Sequence, residues 1–203
     1  MKTKRIDESS VTIGLRAKTG RAIAVVLGGQ LDSPRVLKRV EVKLTDPASP
    51  ETSQPYHHVL DLPWGKATVA VRRIASRIEK VASRELARLV REAQKDGLIV
   101  GGVGIVGAGE RNLEKIGSTH IRAHAAEGVL FREVLEFAAA ANNLSSRRFD
   151  DRSLDVTAEL ELKLPIAVIR ARLAEMGRSA GSPWRADEKA AATAAWLVLA
   201  AQD

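Results

Sequence analysis

Two histidines and a glutamate have the spacing of a metal site on one helix. His120, His124 and Glu127 fall at positions i, i+4 and i+7, so a helix would carry all three side chains on one face. Imidazole nitrogens and a carboxylate oxygen form a ligand set for a divalent metal. Ile121 follows His120, so the general-base glutamate of a His-Glu-x-x-His zinc protease is missing. The alternative is that both are ordinary helix histidines and that Glu127 pairs with one of them or with Arg132.

Three carboxylates stand at the ends of predicted elements. Glu110 follows an apolar stretch, and Asp187 and Glu188 fall in the first turns of the last predicted helix. If the fold brought them together, their oxygens would suit Mg²⁺, which polarises a phosphodiester. The alternative is that Asp187 and Glu188 only cap their helix, since the helix dipole favours carboxylates at that end.

The strongest electrostatic feature is a concentration of basic residues in one segment. Residues 66–95 hold nine basic and three acidic residues, which accounts for most of the net charge of +7. Steps of three and four residues place six of them on one helix face about 27 Å long. This basic row consists of Arg73, Arg77, Lys80, Arg84, Arg88 and Arg91. It is suited to the phosphates of DNA or RNA, with an affinity that falls as salt rises. The alternative is a solvated face paired with the interspersed glutamates.

Hydrophobic patterns predict the elements of the first half of the chain. Runs over 11–15 and 21–27, joined by a Thr-Gly turn, predict a hairpin, and alternation over 36–44 predicts a third strand. Residues 45–65 hold four of the seven prolines and are interpreted as a loop insertion, with His57 and His58 far from the helix histidines. Residues 66–95 lack Gly and Pro and predict a long amphipathic helix.

The second half alternates strands with helices. An apolar stretch over 98–106 predicts a central strand covered on both faces. Its glycines satisfy G-x-G-x-x-G, but no convincing helix follows them, so close packing of a strand is favoured over nucleotide binding. The remaining segments predict helices over 118–142, 165–177 and 183–201 and a strand over 146–150.

Composition narrows the class of protein. The chain has 203 residues, enough for one core, and no cysteine, which excludes disulfides and thiolate zinc sites and fits a reducing cytoplasm. No apolar run is long enough for a signal peptide or a membrane span. We therefore expect one cytoplasmic α/β domain over residues 1–203, without a membrane partner.

The order of elements resembles the ribonuclease H-like fold, and within it the RuvC-type Holliday junction resolvases. The resemblance implies a three-stranded antiparallel meander, parallel central strands and helices on both faces. The run Ile13-Gly14-Leu15-Arg16-Ala17-Lys18-Thr19-Gly20 is similar in form to the first hairpin of those resolvases. It implies that Leu15 stands where the family has a metal-binding aspartate. Glu110 would match the second carboxylate, and Asp187 or Glu188 the acids of the last helix.

Three functional interpretations follow. The first, which we favour, is a ribonuclease H-like protein that binds DNA or RNA through the basic row and has lost catalysis, because a two-metal site without its first-strand aspartate lacks a bridging ligand. The second is a Mg²⁺-dependent nuclease that uses Glu110, Asp187 and Glu188, with His120 and His124 replacing the aspartate. The third is a homodimer or larger oligomer in which the Ala-rich stretch 190–201 packs against a second copy.

Overall fold

A five-stranded mixed sheet is the framework of the molecule. The structure, a computed structural model, describes residues 9–202. The strand order is β3-β2-β1-β4-β5; β1, β2 and β3 form the predicted antiparallel meander, and β4 runs parallel to both β1 and β5. The bounds are β1 (Ser10–Lys18), β2 (Arg21–Gln30), β3 (Ser33–Lys43), β4 (Ile99–Gly107) and β5 (Ser146–Asp150).

Helices cover both faces of this sheet, as predicted. One core lies between the sheet and the second and third helices, and another between the sheet and the last three. Short 3-10 turns lie at Pro50–Thr52 and Leu113–Lys115. The α-helices are α1 (Pro55–His58), α2 (Trp64–Lys95), α3 (Thr119–Ala141), α4 (Leu154–Leu162), α5 (Ile166–Ala180) and α6 (Ala186–Ala200). None of the helices between residues 9 and 202 combines the length and the apolar character that crossing a membrane requires.

The first hairpin and α2 follow their sequence signals closely. Gly20, in the turn between β1 and β2, has a φ of 74°, which glycine adopts without steric cost. The apolar residues of α2 face the sheet, and its charged residues face outward. Gly97, with a φ of 75°, ends the helix and turns the chain toward β4.

The last helix is buried inside the molecule. Trp196 of α6 is fully buried, and its indole nitrogen donates a hydrogen bond to the Leu31 carbonyl oxygen at 3.0 Å. Gly14 and Gly104 let α6 lie directly on β1 and β4, because a Cβ atom at either position would collide with α6 carbonyl groups. The predicted packing of residues 190–201 against a second copy is therefore wrong, since this stretch already packs against the sheet of its own chain.

Three segments differ from the sequence prediction. Residues 45–63 carry α1 and a 3-10 turn, closed by the Thr52 hydroxyl, which donates to the Ser49 carbonyl oxygen at 2.6 Å. The predicted helix over 165–177 is preceded by a separate helix, α4, which ends where Lys163 adopts a left-handed φ of 54°. The final helix begins at Ala186 and not at Pro183, because the Glu188 carboxylate caps it by accepting from the Arg185 amide at 2.8 Å.

Candidate nucleic-acid interface, strand-end cleft and histidine cluster

The basic row lies on the outward face of α2. Arg73, Lys80 and Arg91 are exposed, and within residues 9–202 none of the three has an acidic side chain within ion-pair distance. These three cations are free to meet a partner.

Local acids neutralise the other half of the row. Arg77 Nη1 lies 2.8 Å from Glu51 Oε1, and Arg88 lies 3.1 Å from Glu85 and 2.9 Å from Glu92. Arg84 is 70% exposed and only 3.7 Å from Glu85. Because exposed ion pairs contribute little, these pairs weaken the positive field without fixing the arginines.

Glu92 is the acid most strongly engaged by this surface. Lys38 of β3 donates a short hydrogen bond to it, and Arg88 donates a second. The Lys38 hydrogen bond, reinforced by the Lys38 charge and by Arg88, lowers the pKa of Glu92 below its usual value of 4.5. Glu92 therefore stays ionised and offsets two cations next to the basic row.

A cleft of about 290 Å³ opens at the carboxyl ends of β1, β4 and β5. In open α/β sheets, ligands bind outside the carboxyl ends of the strands. This strand-end cleft is lined by both signs of charge, including Arg16, Lys18, Glu110, Arg111, Asp151 and Arg152. It is the place where the sequence prediction puts the catalytic acids.

Cations occupy the space between the acids at this cleft. Arg16 Nη2 lies 2.8 Å from Asp151, and Arg16 Nε lies 3.4 Å from Asp187. Lys18 Nζ lies 3.3 Å from Asp187 as well. Asp187, one of the predicted catalytic acids, is thus held by two basic side chains of β1.

The two other predicted acids have separate partners. The buried Glu188 carboxylate is committed to the cap of α6. The side chain of Glu110 is 88% exposed and lies 3.3 Å from Arg148 of β5. Glu110, Asp187 and Glu188 are not among the side chains that the described part of the chain gathers at metal-binding distances. As arranged, these acids do not fit a Mg²⁺ site.

Side-chain alternation along β1 determines which of its residues can contact α6. Leu15 packs into the core under α2 and α3, so its position faces away from α6. The alternate residues Thr12, Gly14 and Arg16 face α6: the Thr12 hydroxyl donates to the Ala195 carbonyl oxygen at 2.7 Å. A β1 ligand that shares a metal with acids of α6 belongs on this face. None of its three residues is a carboxylate.

A histidine cluster forms where α1 meets the start of α3. His57, His120 and His124 each offer a ligand atom within 4.8 Å of the other two, the only such group of three among residues 9–202. The Nε2 atoms of His120 and His124 are 3.1 Å apart. The ring centroid of His57 lies 5.0 Å from that of His120 and 4.3 Å from that of His124.

Glu127 lies behind His57. The Glu127 side chain is 0% exposed, and its Oε1 lies 2.8 Å from His57 Nδ1. The same oxygen accepts a hydrogen bond from the backbone amide of His57 at 3.3 Å. Arg132, the other partner considered from the sequence, pairs instead with Glu136. The structure therefore places His120 and His124 together as predicted but puts His57 beside them.

His57 and Arg16 are the residues that sequence reasoning missed. His57 is 70 residues from Glu127 along the chain, and no local pattern indicates that α1 folds onto α3. The position of Arg16 could have been predicted, because strand alternation puts it on the same face of β1 as Thr12 and Gly14. At the end of β1 that faces α6, its basic side chain lies beside two acids.

Comparison with known proteins bears on the fold. No family model matches the chain, and no curated protein matches its sequence. The chain is similar to a structure of Thermus thermophilus RuvC in complex with a Holliday junction substrate, with 14% identity, 95% of each chain covered and a TM-score of 0.52. It is also similar to a second structure of that RuvC, with 12% identity, 92% of this chain and 91% of that chain covered, and a TM-score of 0.50.

These similarities extend over nearly the whole chain and define its class. The protein has an α/β ribonuclease H-like fold. Within that class the fold is RuvC-like, as the sequence resemblance implied.

Proposed function

We propose that this protein binds nucleic acid along the basic row of α2 and does not cut it with the acids of the strand-end cleft. The observation that carries the proposal is the exposed, unpaired state of Arg73, Lys80 and Arg91 within the described residues. Along the axis of a duplex, each strand has one phosphate per about 3.4 Å, so a row about 27 Å long spans roughly eight base-pair steps of phosphate charge.

Branched DNA is the first ligand to test. The Thermus thermophilus RuvC with the similar fold is described in complex with a Holliday junction substrate. A fold alone does not transfer a substrate, so a duplex and an RNA of equal length belong in the same assay. Their relative affinities would decide between DNA and RNA.

The arrangement of the acids supports binding without cutting. Mg²⁺ takes oxygen ligands, yet Asp187 is paired with Arg16 and Lys18, and Glu188 caps its helix. A metal ion at Asp187 would have to displace the guanidinium group of Arg16. We therefore expect the protein to bind a branched DNA in Mg²⁺ or Mn²⁺ and to leave it intact.

The competing proposal, a Mg²⁺-dependent nuclease, is tested in the same reactions. The carboxylates at the rim of the strand-end cleft are the observation in its favour. Metal-dependent cleavage that disappears in Glu110→Gln or Asp187→Asn would establish the nuclease and overturn the proposal of binding alone.

A matched pair of double variants tests the binding surface. Arg73→Ala with Lys80→Ala removes two free cations from the basic row, whereas Arg178→Ala with Lys189→Ala removes the same two residue types from the opposite layer, where both are exposed. Fluorescence anisotropy across a salt series should show a slope less negative by about two for the first variant and an affinity at least tenfold lower at about 0.1 M salt. Equal losses in both variants, or no loss in the first, would remove the basic row as the interface.

A further inference from the structure

We propose that His57, His120 and His124 form a binding site for a divalent transition metal, with Zn²⁺ as the preferred ion and Glu127 as a positioning residue. The site is separate from the basic row and from the strand-end cleft. It rests on the distances among the rings, the hydrogen bonds of His57 and the charge of Glu127.

The distances suit a single ion. In a tetrahedral zinc site the Zn–N bonds are about 2.0–2.1 Å, so two ligating nitrogens lie about 3.3 Å apart. The Nε2 atoms of His120 and His124 are 3.1 Å apart, and the ligand atom of His57 is within 4.8 Å of both. Small rotations of the rings would bring all three nitrogens onto one ion.

Glu127 fixes which nitrogen of His57 is free. Its Oε1 is 2.8 Å from His57 Nδ1, so Nδ1 is the nitrogen that donates, and in the neutral ring the lone pair is on Nε2. His57 Nε2 is buried and has no hydrogen-bond partner among the described residues. A carboxylate behind a histidine is the usual arrangement that orients a metal-ligating imidazole.

The charge of Glu127 also calls for a cation. Its carboxylate is fully buried, and within residues 9–202 the one side chain within ion-pair distance of it is His57, whose neutral ring carries no charge. A buried carboxylate is costly unless a positive charge compensates it. A divalent ion on the far nitrogen of His57 would supply that charge through the ring.

The ligand types select the metal. Three imidazole nitrogens suit Zn²⁺, Cu²⁺ or Ni²⁺, whereas Mg²⁺ prefers oxygen. His120 and His124 are exposed, so an ion can reach the site from solvent. Three protein ligands leave a fourth tetrahedral position for water or an exchangeable anion.

The site would also join two separate segments. His57 belongs to α1, and His120 and His124 lie in the first turns of α3. An ion that binds all three fastens residues 45–63 to α3. Because such a ligand binds only the folded arrangement, it raises the melting temperature.

The full chain, stripped of metal with a chelator, is titrated with Zn²⁺ by calorimetry and with Co²⁺ by visible absorption. We expect one equivalent of Zn²⁺ per chain, a visible Co²⁺ spectrum typical of a four-coordinate site, and a higher melting temperature with Zn²⁺. Failure of the wild-type chain to bind one equivalent of either ion would overturn the proposal.

Three variants locate the site. His124→Ala removes an exposed ligand, so the fold is retained and stoichiometric binding is lost, while His58→Ala, which alters the exposed neighbour of His57 in α1, leaves binding unchanged. Glu127→Gln should weaken Zn²⁺ binding about 10- to 100-fold while the shape of the Co²⁺ spectrum is kept, because the three ligands remain. Undiminished binding by His124→Ala, or an equal loss in His58→Ala, would place the metal elsewhere and contradict the proposal.

Discussion

The guanidinium group of Arg16 lies 2.8 Å from the carboxylate of Asp151 at the carboxyl end of β1. The same side chain reaches Asp187 of α6 at 3.4 Å, so one cation connects acids from two parts of the chain. Metal-dependent nucleases use ions to hold acids at such a position. In this protein an arginine connects them, so its positive charge compensates both carboxylates.

Removal of Arg16 should destabilise the fold. The Arg16 side chain is 14% exposed, and Arg16→Ala would leave Asp151 and Asp187 without this shared partner. We expect a loss of about 1–2 kcal/mol in the free energy of unfolding, less than for a fully buried pair because both acids are partly solvated. Urea denaturation measures this change in the free energy of unfolding. Arg152→Ala, which alters an exposed arginine of the same cleft, is the control and should change the stability by less than about 0.5 kcal/mol.

The contact between β1 and α6 should not tolerate a methyl group. Gly14→Ala would drive a Cβ atom into the Ala191 carbonyl group, and the helix cannot move without opening the core. We expect a loss of about 3 kcal/mol or more, or failure to fold. Gly65→Ala is the matched control, because no atom lies within 4 Å of its Cβ position in α2. Thermal unfolding should show it to be unchanged or more stable by up to about 1 kcal/mol; similar losses in both variants would show that the close approach is not the cause.

Tyr56, the single tyrosine of the chain, should ionise at a higher pH than a solvated tyrosine. The ring of Tyr56 stacks on that of Trp64, with ring centroids 5.4 Å apart. Burial of the Tyr56 phenol, assisted by the negative charge of Glu133, raises the pKa of Tyr56 above the usual 10.0. A raised folded-state pKa means that this contribution to stability is complete below the unfolded pKa and is lost as the pH rises through the folded one. Ultraviolet titration of tyrosinate should give a higher midpoint in buffer than in concentrated urea. Coinciding midpoints would show that Tyr56 is solvated in the folded protein.

Removal of an acid should strengthen nucleic-acid binding. Glu92→Gln removes the negative charge that compensates Lys38 and, together with Glu85, Arg88, so the net positive charge beside the basic row rises. We expect about threefold to tenfold tighter binding of DNA at about 0.1 M salt and a steeper salt dependence. Glu175→Gln, at an exposed position of α5 on the opposite layer, is the control with the same charge change. If both variants gain equally, the effect comes from net charge and not from α2.

The elements of the sheet and α2 could be predicted because their signals are local. The turn at Gly20, the alternation in β3 and the amphipathic pattern of α2 each lie within a few residues of one another. The order of these elements was sufficient to indicate the ribonuclease H-like fold. The start of α5 was predicted to within one residue, but α4 was not recognised as a separate helix, and a lysine rather than a glycine takes the left-handed position at its end.

The candidate sites depend on contacts that the sequence does not encode locally. Spacing alone predicted that His120 and His124 share a face of α3, but the third histidine comes from α1, more than sixty residues earlier. Likewise, the periodicity of α2 placed its six cations on one face, while Glu51, which neutralises Arg77, lies in a segment outside that helix. Composition and periodicity give the faces of the elements, and tertiary packing decides which partners each face meets.

The position of α6 has a consequence for biosynthesis. Residues 186–200 form the inner layer against β1, β2 and β4, although they are made after all three strands. While the chain is being translated, the apolar surface of those strands has no cover, and exposed strand surface is prone to aggregate. We therefore expect truncation before Ala186 to yield insoluble polypeptide, because the sheet would then lack the layer that covers β1, β2 and β4.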